Sequence, residues 1–305
     1  MPEHWTRTLP RVRGDSLEIR PGRRISLAHS RGHSYPRTVV FFAHGGGGNK
    51  DQWREQWRAL EEEGYSLVAW DLLGHGASDK PRRAADYAWD ELVADQVEVL
   101  RRFAGERNVL AAHSFGTGLS LSSLLRLQAD GQGALVDAAL LLGTQLQRPL
   151  PRGGLLSLPS WLLEWFRPVL SRGFRQRAWH TDADPALIDY EEALTRNNRL
   201  DVFKALVGQA TWLPEDELDR LRLPVRILAG DSDGLTPAEL PRPGTVAHPW
   251  RRIAECKETK SGREFAEMPR SGQPGIPVDS HNVYYVKLSM SLIEPSCHQP
   301  LTARI

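Results

Sequence analysis

The stretch that decides the fold reads R-N-V-L-A-A-H-S-F-G-T-G, at residues 107–118. It begins as an apolar run of strand length and continues beyond Ser114 with leucines at helical spacing. A serine on a sharp strand-to-helix turn projects its hydroxyl above the sheet, and the following helix N-terminus offers backbone N–H groups toward developing negative charge. The stretch therefore predicts a nucleophile at Ser114. The alternative is a serine that only caps the helix.

Small residues around the serine leave room for such a turn. They are Ala112 and Gly116, two positions before and after Ser114. The common pattern is G-x-S-x-G, so alanine replaces its first glycine here. The methyl group of this alanine must be accommodated, so the pattern by itself is less specific for a nucleophile.

Apolar runs of strand length recur along the chain. They are T-V-V-F-F-A at 38–43, S-L-V-A-W-D-L at 66–72, D-A-A-L-L-L-G at 137–143 and P-V-R-I-L-A-G at 224–230. Amphipathic helical patterns fall between them, and a hairpin is predicted around Pro21 and Gly22. Continuous apolar strands that alternate with helices favour an α/β fold, with a mostly parallel central sheet and helices on both faces.

The sequence divides into four regions. They are the first part of the core at 1–144, an inserted helical cap at 145–215, a core strand and acid loop at 216–237, and an atypical Pro-rich segment at 238–305. Seven prolines stand from Pro237 to Pro277, with almost no hydrophobic periodicity and no clear strand except G-I-P-V before Asp279. That composition is typical of a poorly ordered segment.

A glycine-rich loop, H-G-G-G-G-N at 44–49, follows the apolar strand at 38–43. Acyl transfer passes through an oxyanion that two preorganised N–H donors stabilise, by about 3 kcal/mol each. The predicted donors are the amides of Gly46 and Phe115, and the side chain of His44 is expected to be structural. The alternatives are a flexible turn or a phosphate cradle, but the lysine and hydroxyl of the phosphate-binding motif are missing.

Acid and base candidates follow later in the chain. Asp231 and Asp233 come directly after the strand at 224–230, where a carboxylate can orient a histidine; the alternative is a polar turn. Serine also needs a general base. The histidines after these aspartates are His248, His281 and His298.

Four motifs in order resemble the alpha/beta-hydrolase family over about residues 16–237. They are H-G-G-G-G-N, W-D-L-L-G-H-G-A-S-D-K-P, H-S-F-G-T-G and I-L-A-G-D-S-D-G-L-T-P. Within the family, residues 52–118 look most like one vertebrate group. The resemblance implies an alpha/beta-hydrolase fold and a serine hydrolase that cleaves an ester or related acyl bond through an acyl-enzyme, with no metal or organic cofactor. Epoxide hydrolases and haloalkane dehalogenases share the fold but carry aspartate where Ser114 stands.

By the same resemblance, Asp233 is the acid and His281, in V-D-S-H-N-V, is the base. His75 is expected to pack beneath the serine turn. After Pro237 the chain departs from the family pattern. Either 238–280 is an insertion, which loop entropy permits, or the C-terminus is altered and the base is lost. The second possibility gives the competing hypothesis, a non-catalytic hydrolase-fold binding protein.

An apolar helical run at 155–170 is predicted to roof the pocket. Its aromatic residues, Trp161, Trp165 and Phe166, are the predicted substrate-binding side chains. Such a roof suits a small hydrophobic ester or acyl substrate. Simple packing on the core is an equal alternative, and peripheral membrane contact is a weaker one.

Composition excludes other classes. The chain of 305 residues has 39 basic and 38 acidic side chains, so no overall charge favours nucleic acid. Its two cysteines, Cys256 and Cys297, form neither a disulfide framework nor a metal signature. The N-terminus lacks a signal-peptide pattern and no apolar run is long enough for a transmembrane span, so we expect an intracellular, cytoplasmic protein. The oligomeric state stays open.

Overall fold

A computed structural model describes residues 11–144, 158–179, 185–196, 198–213 and 215–230, the isolated residues 183 and 235, and three later strands. Ten strands form one sheet in this part of the chain. They are β1 (Asp15–Arg20), β2 (Arg23–Ser30), β3 (Thr38–Ala43), β4 (Ser66–Trp70), β5 (Arg107–His113), β6 (Ala138–Leu142), β7 (Val225–Gly230), β8 (Arg251–Lys257), β9 (Arg263–Ala266) and β10 (Pro277–Val278).

The sheet order is β1-β2-β4-β3-β5-β6-β7-β8-β9-β10. Neighbours from β4 to β8 are parallel, while β1 and β2 on one edge and β9 and β10 on the other pair antiparallel. The prediction of a mostly parallel central sheet is therefore confirmed. Its central strands are continuous apolar runs because helices cover both faces.

Three helices alternate with the strands, as predicted: α1 (Arg54–Glu62), α2 (Trp89–Phe103) and α3 (Phe115–Ala129). Five further helices are described between β6 and β7. They are α4 (Ser160–Trp165), α5 (Arg167–Ala178), α6 (Pro185–Thr195), α7 (Leu200–Gln209) and α8 (Glu215–Leu218). Among the described residues, no helix is both long and apolar enough to cross a membrane.

The two faces of the sheet build two hydrophobic clusters. Alternate residues of β3 separate between them: Val39 and Phe41 pack with the cluster of α2 and α3, whereas Val40 and Phe42 pack with Trp53 and α1. All four β3 side chains are at most 1% exposed. The strand is thus fixed from both sides, which places the loop that follows it.

The loops after β3 and β5 meet at the carboxyl edge of the parallel strands. The register pairs Ala43 with Ala112 and His113 with Leu142, so β3, β5 and β6 end at nearly the same level. The glycine loop follows β3 and the serine turn follows β5. This edge is the usual position for a site in an open α/β sheet.

The expectation of almost no strand after Pro237 is wrong for two segments. β8 pairs parallel with β7 over 251–257, and β9 pairs antiparallel with β8 over 263–266. The third later strand, β10, falls on the predicted G-I-P-V. The prediction failed because R-R-I-A-E-C-K is not a continuous apolar run, and its extended form follows from main-chain pairing with β7.

Candidate active site

Ser114 lies on a strained turn between β5 and α3. Its φ of 50° and ψ of −122° make it the only non-glycine residue with positive φ in the described part of the chain. Such a conformation costs about 1–3 kcal/mol and persists only where the surroundings impose it. The turn has the strained geometry that the sequence pattern predicts for a nucleophile.

Close packing behind the turn explains its small residues. A methyl group on Gly116 would lie 2.5 Å from the carbonyl oxygen of His44 and 3.0 Å from that of Ala43, so only glycine fits there. Ala112, by contrast, is fully buried between Ala43 and Leu141 on the neighbouring strands. The sheet accommodates the methyl group that replaces the first glycine of the common pattern.

Hydrogen bonds fix the peptide unit after the serine. The Ser114 amide donates to the Leu142 carbonyl at 2.9 Å. The Ser114 carbonyl accepts from the amide of Thr117 at 2.8 Å and from its hydroxyl at 2.6 Å. A trans peptide directs its C=O and N–H to opposite sides, so the Phe115 N–H points away from Thr117. This amide has no protein acceptor among the described residues.

The glycine loop repeats this arrangement. The Gly45 carbonyl accepts from Nδ1 of His44 at 2.8 Å and from the amide of Gly48 at 3.0 Å, which turns the N–H of Gly46 to the opposite side. Methyl groups built on Gly45 and Gly46 would lie 3.1 Å from Ser114 Cβ and 3.3 Å from Phe115 Cβ. The structure therefore brings the predicted donors and the predicted nucleophile together.

His44 supports the loop from inside the protein. Its ring is fully buried, and Nε2 accepts from the Leu72 amide at 2.9 Å. Since Nε2 accepts, Nδ1 carries the proton and donates to Gly45. Burial lowers the pKa of His44, which keeps the ring in the neutral form that this pair of bonds requires.

His75, which was expected to pack beneath the serine turn, bonds to the same glycine loop. Its Nε2 accepts from the Gly47 amide at 3.0 Å, and its ring centroid lies 5.2 Å from that of His44. Burial, together with the neighbouring His44, lowers the pKa of His75 to about 3. The ring is therefore a neutral acceptor at any physiological pH.

A buried ion pair anchors the end of the glycine loop. Asp71 accepts from the amide of Lys50 at 2.7 Å, from its ammonium at 2.8 Å and from the Ala77 amide at 2.9 Å. The ammonium also donates to Ser26 Oγ. Burial alone would raise the pKa of Asp71, but the Lys50 charge outweighs it and the pKa is lowered. Sequence reasoning missed this ion pair. It could have been found from an aspartate directly after the β4 strand and a lysine directly after the glycine loop.

The predicted acid and base lie outside the described residues. This applies to Asp233 and the alternative Asp231, and also to the predicted base His281. The structure does show where the acid loop leaves the sheet. β7 ends at Gly230, beside β6 and at the same edge as Ser114.

The predicted roof residues fall in different settings. Of Trp161 only its place in α4 is described, whereas the side chain of Trp165 is 75% exposed and its ring centroid lies 5.3 Å from that of the partly buried Phe166. Phe203 of α7, which the sequence did not single out, lies 3.8 Å from a methyl built on Gly46. The amphipathic pattern of α7, in which Val202 and Leu206 are buried, could have indicated Phe203.

Aromatic rings also line the helix that follows Ser114. Trp89 packs edge-on against Phe115, with centroids 5.5 Å apart. A methyl built on Gly118 would lie 3.6 Å from Trp89 and 3.9 Å from Trp212.

Among the described residues, no three His, Cys, Asp or Glu side chains cluster as metal ligands would.

The fold, with a strained serine turn at the carboxyl edge of its sheet, is that of an alpha/beta hydrolase. The model of the alpha/beta hydrolase family matches residues 40–286, and the chain belongs to this family. The resemblance identified from the sequence motifs is thereby confirmed.

The vertebrate group that residues 52–118 resemble is that of the protein ABHD8. ABHD8 of Bos taurus is 30% identical over 207 residues, which cover 66% of this chain and 46% of the relative. The chain thus spans about half the length of the curated relatives it matches.

Solved structures share the fold at low sequence identity. An esterase from Exiguobacterium antarcticum superposes with a TM-score of 0.64 at 22% identity, covering 79% of this chain and 90% of its own. An epoxide hydrolase from Vigna radiata gives 0.54 at 18% identity, covering 74% and 81%. At these identities the likeness shows the fold alone.

Proposed function

We propose that this protein is a serine hydrolase that cleaves an ester or a related acyl bond, with Ser114 as its nucleophile. One observation carries the proposal. Ser114 is held in a strained conformation beside two amides, of Gly46 and Phe115, whose partner carbonyls are both engaged elsewhere. Strain stored at one serine next to preoriented donors serves acyl transfer, because the donors stabilise charge that appears only in the transition state.

The proposed mechanism combines that geometry with the motif order. The Ser114 hydroxyl attacks the acyl carbon, and the amides of Gly46 and Phe115 hold the resulting oxyanion. His281 takes the serine proton and passes it to the leaving group, and Asp233 orients the imidazole. Water then attacks the acyl-enzyme by the same path and regenerates the serine. The roles of His281 and Asp233 rest on motif order, and no cofactor takes part.

Aromatic side chains support a hydrophobic acyl substrate. Trp89, Phe115, Phe203 and Trp212 lie around the glycine loop and the first turn of α3. Such a wall favours an apolar group and excludes water from the reacting centre. Phe203 and Trp212 belong to the proposed cap, which spans 145–215.

Labelling with a fluorophosphonate tests the nucleophile. We expect the probe to label the wild-type protein and not Ser114→Ala. The matched control is Ser16→Ala, which removes an exposed hydroxyl on β1 and should label like the wild type. Equal labelling of the wild type and Ser114→Ala would refute the proposal.

Hydrolysis of a short p-nitrophenyl ester tests the other two members of the triad. We expect His281→Ala and Asp233→Asn each to lower kcat by at least about a hundredfold, the low end of what general acid–base catalysis contributes. Asp231→Asn is the control for the choice of acid and should keep most of the activity. Full activity of His281→Ala would favour another base, and no turnover by the wild type would favour the non-catalytic binding protein.

A further inference from the structure

The helices between β6 and β7 contact the core at the glycine loop and at the residues just after it. The side-chain amide of Asn198, just before α7, donates to the Gly47 carbonyl. The Tyr190 hydroxyl of α6 donates to Asp51 at 2.7 Å, and Arg54 pairs with Glu191. All three contacts fall on residues 47–54, directly after the predicted oxyanion donor Gly46.

Gly47 is held from two sides. Its amide donates to His75 of the core, while its carbonyl accepts from Asn198. Its φ of 78° is a conformation that glycine adopts without strain. A residue with this freedom moves easily unless both of its peptide units are bonded, and Gly47 is covalently joined to Gly46. The Gly47 carbonyl shares its peptide unit with the N–H of Gly48, which donates to the Gly45 carbonyl of the peptide unit that carries the Gly46 N–H. The orientation of the Gly46 N–H therefore depends in part on the bond from Asn198.

We propose that Asn198 is a positioning residue, which couples the seating of the helical segment to the geometry of the oxyanion site. The inference rests on the proposed function of Ser114 and Gly46. With Asn198 in place, the loop is held against His75 and the Gly46 N–H faces the reacting carbonyl. When the segment lifts, the Gly47 carbonyl loses its partner, and the peptide unit between Gly47 and Gly48 is held less firmly although the bonds from the core remain.

The contacts of α6 keep Asn198 within reach of the loop. The guanidinium of Arg54 lies 4.5 Å from the ring centre of Tyr190. Burial and the neighbouring Asp51 raise the pKa of Tyr190 to about 12, so its hydroxyl remains a donor over the whole working range of pH. The Tyr190 hydroxyl thus keeps its bond to Asp51 well above neutral pH, and Asn198 adds the contact that reaches the glycine loop itself.

The kinetic test compares Asn198 with another hydrogen bond of the same helical segment. Gln209 at the end of α7 donates to the Ala84 carbonyl at 2.6 Å, away from the glycine loop. We expect Asn198→Ala to lower kcat for a p-nitrophenyl ester about tenfold to a hundredfold, less than the loss of an oxyanion donor itself, with KM changed by less than about twofold. Gln209→Ala should keep both constants.

An isosteric variant separates positioning from packing. Asn198→Asp keeps the shape of the side chain but replaces the donor with a carboxylate that faces a carbonyl, so it should lose at least as much kcat as Asn198→Ala. A trifluoromethyl ketone, which forms an oxyanion on the serine, should bind both variants more weakly in proportion to their loss of kcat. Equal losses in Asn198→Ala and Gln209→Ala, or losses that follow thermal stability, would overturn the proposal.

Hydrogen exchange keeps the inference testable apart from the activity. Asn198→Ala should speed amide exchange in a peptide covering residues 44–50, and Gln209→Ala should not. If the wild type fails to hydrolyse esters and the loop still loosens only in Asn198→Ala, the proposed function fails while the coupling stands. Unchanged exchange in Asn198→Ala would refute the coupling, whatever the activity.

Discussion

The glycine loop and the outer helices α4 and α5 are built very differently. In the loop, His44 and Lys50 are buried, and each bonds to the turn that follows β4. α5 contains no buried residue, and the side chains of Trp165 and Val169 are 75% and 69% exposed. The glycine loop is held by buried hydrogen bonds and a buried ion pair, whereas α5 and the exposed side of α4 are held mainly by surface contacts.

This difference predicts where substitutions have little effect on the free energy of unfolding. Exposed ion pairs such as Arg167–Glu164 and Arg175–Asp189 hold the outer helices, and such pairs contribute about 0–1 kcal/mol each. Loss of one partner of a buried pair costs several times more, since a charge is left without compensation. We therefore expect substitutions of buried loop residues to lower the free energy of unfolding much more than substitutions of exposed residues on α4 and α5.

Lys50→Met should have the largest effect. It leaves the buried Asp71 carboxylate without its ammonium partner, so we expect the free energy of unfolding to fall by about 3–5 kcal/mol, measured by urea denaturation. The double variant Lys50→Met/Asp71→Leu removes both charges and should recover part of the loss. A Lys50→Met protein of wild-type stability would show that the loop does not depend on this pair.

Gly116→Ala should come next. Its methyl group would press on the backbone of β3 and the glycine loop, so we expect destabilisation of about 1–3 kcal/mol by thermal or urea unfolding. Gly118→Ala is the control on the same helix, where the nearest side chain is 3.6 Å away. It should be neutral, or stabilising by up to about 1 kcal/mol, because alanine is the better helix former. Equal costs at both positions would argue against the close contact.

Acid should weaken the loop through His75. In the unfolded chain the pKa of this histidine is near 6.5, and in the folded protein it is about 3. Between these values the unfolded chain binds the extra proton, so the free energy of unfolding falls as pH falls, by about 1.4 kcal/mol per unit for this group. His75→Gln should show the smaller slope between pH 6.5 and pH 4 in urea titrations. An unchanged slope would assign the acid sensitivity to other groups.

Trp165→Ala should have the smallest effect on stability. With its side chain 75% exposed, we expect a change within about 0.5 kcal/mol in the free energy of unfolding. Leu163 of the same helix is 1% exposed, and Leu163→Ala is the matched buried control, with an expected loss of at least about 2 kcal/mol. A rise in KM for long acyl esters in Trp165→Ala would support the predicted role of this side chain in substrate binding.

The sequence predicted the elements whose signals are local. Strands β3 to β7 were found because each contains an apolar run of strand length, and Ser114 because the turn requires small residues at fixed offsets. The adjacency of Gly46 and Phe115 followed from the parallel order of the strands, whose carboxyl ends share one edge.

Features that depend on distant contacts could not be predicted. The pairing of Lys50 with Asp71 spans 21 positions and that of Asn198 with Gly47 spans 151, and neither residue type is diagnostic by itself. β8 was missed because its strand character comes from its neighbour β7 and not from its own composition. The proposed acid and base, Asp233 and His281, still rest on motif order alone.

At position 114 the proposed chemistry requires a serine, whereas the strained backbone there favours a glycine. Glycine adopts positive φ without penalty, so Ser114→Gly would relieve about 1–3 kcal/mol of strain while removing the proposed nucleophile. A library screened for thermal stability alone would therefore enrich inactive chains at this position. Engineering toward a more robust protein must select for turnover in the same round, because the most stable version of this turn carries no hydroxyl.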